Sequence, residues 1–139
     1  MTMAAALALI AGQTAGQDYA GTWIAERAGT TYARLELAVA NGALAGRISL
    51  GDIQVDKTGQ LTSVRPAPRD FAPLFALDRR DSGLVFARQD GADIDHFEMR
   101  LLGGDAAELV FKPSDADLQE LAADGIPAPK PFRLKKVVR

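Results

Sequence analysis

The chain has 139 residues, a single-domain length, and its 47% hydrophobic content is enough to fill one core. With 16 basic and 18 acidic residues, a net charge of −2 and a pI near 5.3, it has no electrostatic case for binding nucleic acid, and 6% aromatic residues argue against a base-stacking platform. The absence of cysteine excludes disulfides, thiolate nucleophiles and cysteine-ligated metals.

The first segment is apolar. Met3 to Gly12 read MAAALALIAG, and the small and polar Gln13 to Gln17 follow. The pattern matches the apolar core and cleavage region of a secretory signal, although the basic residues that normally precede one are missing. The run is too short to span a bilayer. The alternative is an Ala-rich N-terminal helix packed on the fold. On the signal reading residues 1–17 are a remnant and residues 18–139 are the domain. The protein is then secreted or periplasmic, with no stable membrane insertion after processing.

From Tyr19 onward the hydrophobic period is mostly two, which predicts half-buried strands. Between Ala33 and Val39, Leu35, Leu37 and Val39 share one face, and Arg34 and Glu36 share the other. Asn41-Gly42 is a two-residue hairpin signal, because both central positions of a type I′ turn need positive φ. Leu44 to Leu50 is the next strand, with Gly46 on its apolar face as a candidate bulge or bend. Ile53 and Val55 suggest a short strand. Asp56 to Asp70, with Gly59, Pro66 and Pro68, reads as a long surface connection.

Strands resume at Ala72 to Arg79, with Phe75 and Leu77 expected inward, and at Leu84 to Gln89, with Leu84 and Phe86 inward. Asp90-Gly91 marks another hairpin. Ile94 to Leu102 places Phe97, Met99 and Leu101 on one face and His96, Glu98 and Arg100 on the other. Ala107 to Lys112 follows, with Leu109 and Phe111 inward. Ser114 is a helix N-cap signal with Asp117 three residues later, Leu118 and Leu121 give a short apolar stripe, and Gly125 is a stop. After Pro127, Pro129 and Pro131, Phe132 to Val137 is the last strand. The sum is an all-β fold, a small antiparallel barrel of about eight strands with one short helix before the last strand.

Chemistry is sparsely signalled. His96, the single histidine, follows Asp95, but adjacent residues on a strand point to opposite faces, so the carboxylate is badly placed to orient the imidazole. Glu26, Glu36, Glu98 and Glu108 fall mainly on polar faces. Asp90 to Asp95 lacks the spacing and terminal Glu of a calcium loop, and no glycine-rich stretch has phosphate-loop spacing. No catalytic residue, metal site or cofactor is therefore expected. The basic run Lys130, Arg133, Lys135, Lys136 and Arg139 reads as an outward strand face and solvated tail.

Gly21-Thr22-Trp23 resembles the first-strand Gly-x-Trp of lipocalin-like (calycin) barrels. That resemblance implies a Trp that closes one barrel end and a cavity for small apolar ligands. The helix signal lies before the last strand, not after it as in that family. The chain is also similar to uncharacterised secreted bacterial domains, through Gly29-Thr30-Thr31-Tyr32 to Leu37, Gly46 to Val55, Asp95 to Leu101 and Asp124-Gly125-Ile126-Pro127 to Leu134, segments that cover much of residues 20 to 136.

The expected function is a non-enzymatic extracytoplasmic binding domain for a small apolar or amphipathic ligand. Its expected lining includes Trp23, Leu35, Leu37, Phe75, Phe86, Phe97, Met99 and Phe111, which are also core candidates. The alternatives are a protein-interaction module with a filled interior and a surface near Phe71, Pro73 and Leu74, and a small barrel enzyme. The expected partners are thus a small apolar molecule or a protein, and not nucleic acid.

Overall fold

The computed structural model of the chain describes residues 18–112, 119–120, 122–125 and 129–137. Among these, ten strands follow in chain order: β1 (Gly21–Arg27), β2 (Thr30–Ala40), β3 (Ala43–Leu50), β4 (Ile53–Val55), β5 (Leu61–Val64), β6 (Ala72–Arg80), β7 (Gly83–Asp90), β8 (Asp93–Gly103), β9 (Ala106–Phe111) and β10 (Phe132–Lys136). β1, β2, β3, β6, β7, β8, β9 and β10 close an antiparallel barrel in that order, with β10 returning to β1 through Trp23 opposite Lys136 and Ile24 opposite Lys135. The fold is all-β and compatible with a calycin-like barrel. β4 and β5 form a separate two-stranded ribbon between β3 and β6.

Tight turns impose the up-and-down order. Asn41 and Gly42 both have positive φ (54° and 79°) between Ala40 and Ala43, the conformation that a type I′ hairpin requires. Ala28 and Gly29 do the same between β1 and β2, at 51° and 83°. Gly46 produces no bulge, since β2 and β3 pair without a break from Ala33–Leu50 to Ala40–Ala43. It is needed instead for close approach, because a Cβ there would overlap the Glu36 carbonyl and the Leu37 side chain.

Two expectations are corrected. The connection from Asp56 to Asp70 is not all loop: Leu61 to Val64 form β5 and pair with β4. The strand was hard to see because it is four residues long with two polar residues at its centre. Phe75 does not face inward; it sits opposite Ala87 on the outer surface and is 40% exposed. The cause is a bulge between Phe75 and Asp78, where Ala76 takes φ 54° and the pairing slips. Across a bulge the period of two fails, so Leu74 and Leu77 both reach the core while Phe75 points out.

The segments proposed as a secretory signal (residues 1–17) and, for the most part, as a short helix (residues 115–123) lie outside the described residues. Just past the second, the Asp124 N–H donates to the Glu120 carbonyl at 3.0 Å.

The core is the barrel interior. Trp23, Leu35, Ile48, Leu84, Met99, Leu109 and Leu134 are at most 1% exposed, and Phe86 and Phe97 stack with ring centroids 5.7 Å apart. The inward faces of β2, β7, β8 and β9 follow the predicted alternation.

Candidate functional site

The two barrel ends differ. At the end where β1 begins, Trp23 is fully buried, and its indole N–H donates to the Tyr19 carbonyl at 2.9 Å. The Lys136 ammonium lies 5.0 Å from the indole centroid, and its stem covers Gly21. This end is closed by a ring, a strand-preceding turn and an amphipathic side chain.

At the other end the wall is aromatic and open. A half-open pocket of about 220 Å³ is lined by Phe97, Phe111 and Phe132 from three strands, Leu50 at the end of β3, Ile53 of β4 and Pro129. Phe97 and Phe111 approach with centroids 5.8 Å apart. Tyr32 packs edge-on to Phe132 at 5.7 Å. It can do so because pairing slips from Ala25–Ala33 to Glu26–Thr31, which leaves Tyr32 as the bulged residue of β2. Burial pushes the Tyr32 hydroxyl pKa up, and the Arg27 charge opposes this.

The polar part of this wall is one ion pair, Arg88 with Asp95. The two are opposite each other on β7 and β8, and Arg88 Nε donates to Asp95 Oδ2 at 3.0 Å. Their side chains are only 15% and 19% exposed. The guanidinium lies 5.8 Å from the Phe97 ring centroid, and one of its other nitrogens is 3.8 Å from Asp90, a residue at the solvent edge. The signal for the pair is in the sequence. Leu84, Phe86 and Arg88 share one parity, as do Asp95, Phe97 and Met99, so the rule that turns the phenyl rings inward turns these charges inward as well. Considering Asp95 only as a neighbour of His96 overlooks this.

Two excursions from the barrel complete the open end. The β4–β5 ribbon is tied down by Gly51 N–H to the Tyr32 carbonyl (2.8 Å) and Ala67 N–H to the Thr31 carbonyl (3.0 Å), and Ser49 Oγ donates to the Pro68 carbonyl at 2.6 Å. A Cβ at Gly51 would overlap the Arg65 carbonyl, so only glycine fits. The ribbon turn is organised by Asp56, whose Oδ1 accepts from the Thr58 hydroxyl and from the Thr58 and Gln60 amides; these bonds, the hydroxyl's foremost, hold its carboxyl below the usual range. The stretch before β10 docks on the ribbon through Lys130 N–H to the Gly59 carbonyl at 2.9 Å.

Of the residues expected to line a ligand, Phe97 and Phe111 meet at this pocket. Trp23, Leu35 and Met99 expose no surface, and Leu37 and Phe86 almost none. The nearly complete burial of these five shows that they pack against protein, Trp23 at the closed end and the others in the barrel core. Phe75 lies on the outer wall.

His96 is exposed on the outer face, with Asp95 turned inward to Arg88, so the two form no catalytic pair. Glu98 is on the outer face too, but it is not a solvated charge. Only 5% of its side chain is exposed, under Arg100 (3.0 Å) and Lys112 (3.4 Å). Burial alone would raise its pKa; hydrogen bonds from Arg100, Ser82 and Lys112 outweigh that and hold it below the ordinary value. Among the described residues no group of three metal-binding side chains comes together, and no helix is long and apolar enough to cross a membrane.

The chain matches no protein-family model, no curated protein and no solved structure.

Proposed function

We propose that this chain is a non-enzymatic binding domain that acts outside the cytoplasm and takes a small apolar or amphipathic ligand at one end of its barrel. The observation that carries the reading is the half-open pocket of about 220 Å³ walled by Phe97, Phe111 and Phe132. Binding sites of this kind are concave and mainly apolar, with a few polar groups that fix orientation, and barrel mouths are a common place for them. The filled middle of the barrel keeps a ligand out of the interior, and a pocket of this volume takes something about the size of one or two rings; an engineered apolar cavity of about 150 Å³ accepts benzene. The extracytoplasmic placement rests on the Met3 to Gly12 run.

Native mass spectrometry of gently purified protein tests the reading. A discrete added mass that is lost on denaturation supports it. A bare protein mass, together with no amide shift at Phe97, Phe111 or Phe132 on titration with ring-sized compounds, overturns it.

A second reading is favoured by a separate observation. Phe75 and Ile94 are 40% and 47% exposed on the outer wall, where β6, β7 and β8 run side by side. A packed barrel using that wall to contact a protein would be a protein-interaction module. The Phe71 part of the expected surface is less free, since the Arg47 guanidinium covers its ring at 4.3 Å.

A further inference from the structure

We infer that the end pocket selects an uncharged, ring-sized ligand whose single polar head both accepts and donates hydrogen bonds, such as an amide or a hydroxyl. The inference rests on the reading of this pocket as the binding site and adds the ligand's chemical class. Arg88 and Asp95 are joined by one assigned hydrogen bond, from Nε to Oδ2. A guanidinium carries five N–H donors and a carboxylate about four acceptor positions, so each keeps capacity after that bond. An apolar molecule lying against Phe97 and Phe111 reaches the pair with its head group. The head meets a donor and an acceptor side by side.

Charge decides between head groups. Arg88 and Asp95 cancel each other, and Asp90 stands 3.8 Å away at the exposed rim. A ligand carboxylate at Arg88 must lie beside Asp95, and a ligand ammonium at Asp95 must lie beside Arg88. Either adds a further charge beside a pair that is already neutral, in a pocket whose other walls are hydrocarbon. Burying a charge without a partner of its own is costly, whereas a neutral group that makes both hydrogen bonds leaves nothing unpaired. An amide head accepts from Arg88 and donates to Asp95, and the existing pair stays intact.

The test uses three probes with one ring and different heads: benzamide, benzoate and benzylammonium, titrated at pH 7 into the full chain and followed by the amide signals of Phe97, Phe111 and Phe132. Benzamide is expected to bind at least about tenfold more tightly than either ion, a difference large enough to exclude ring burial as the cause. Two variants should invert the preference. Asp95→Asn leaves Arg88 with only the exposed Asp90, 3.8 Å away, and should favour benzoate, and Arg88→Gln should favour benzylammonium. Equal affinity for all three probes, or an ion bound best by the unaltered protein, overturns the inference while leaving the binding site standing. No shift with any probe overturns the site as well. If either variant fails to fold, the ranking in the unaltered protein still decides.

Discussion

The two ends of this barrel are built from similar side chains and reach opposite results. At one end a single large ring, Trp23, is pinned by its N–H to Tyr19 and covered by Lys136, leaving no exposed surface. At the other, three phenylalanines from separate strands face one another, and the gap between them remains. The difference lies in what surrounds the rings. The closed end follows directly from strand and turn. The open end depends on a bulge at Tyr32, on the ribbon of β4 and β5, and on the segment leading into β10. Loops such as those around the open end vary more easily than strands and commonly carry function.

The sharpest way to break this comparison is to truncate one ring at each end. Trp23→Ala should cost about 3–5 kcal/mol in urea unfolding, since it removes a fully buried ring and leaves a cavity. Phe111→Ala should cost about half of that, because Phe111 already borders open space. Equal losses would mean that both ends are sealed, and the pocket would then not be a site.

Gly51→Ala acts on the open end alone. Its Cβ would collide with the Arg65 carbonyl, and that strain should cost about 1–3 kcal/mol. The expected signature is local: faster amide exchange at Arg65 and Ala67, with Trp23 fluorescence unchanged. Loss of protection throughout the barrel would show that the ribbon belongs to the core and is no separate excursion.

Much of this was legible in the sequence, and for a definite reason. Period two together with short turns specifies which faces of β2, β7, β8 and β9 are buried, and Asn41-Gly42 specifies one hairpin. What was not legible falls where period two is broken. Phe75 and Tyr32 both lie at bulges, which add a residue without a composition signal, so one ring points out of the core and the other packs into it against Phe132. β5 was hidden by its polar centre. The Arg88–Asp95 pair is the opposite case: it follows from the same alternation, but charged residues are normally read as outward-facing, and inward ones become visible only when parity is carried to the strand end.

Glu98 offers a control that belongs to neither end. It ties β8 to Lys112, the residue after β9, and is held by Arg100 on its own strand. Its folded pKa lies below the ordinary 4.5, so folding favours the carboxylate. The stability this adds is present above about pH 4.5 and is lost as pH falls through the lower folded value. Glu98→Gln should therefore cost about 1–3 kcal/mol at pH 7, nearer the low end because Arg100 and Lys112 are themselves 41% and 49% exposed. The unfolding curves of the variant and the unaltered protein should converge as pH falls through that lowered folded value. A constant gap across pH would assign the loss to packing, not to charge.

The smallest expected effect is at His96. It lies on the outer wall in a row with Ala87 and Phe75, on the face opposite the pocket. An exposed side chain with no assigned partner contributes little, so His96→Ala should change stability by no more than about 0.5 kcal/mol. It should also leave the benzamide titration at Phe97 and Phe111 unchanged, because the imidazole points away from the pocket that Asp95, its neighbour in sequence, helps to line. A variant that keeps its stability but loses a measurable activity would move the functional site to the outer wall, and the contrast between the two ends would then be only a matter of folding.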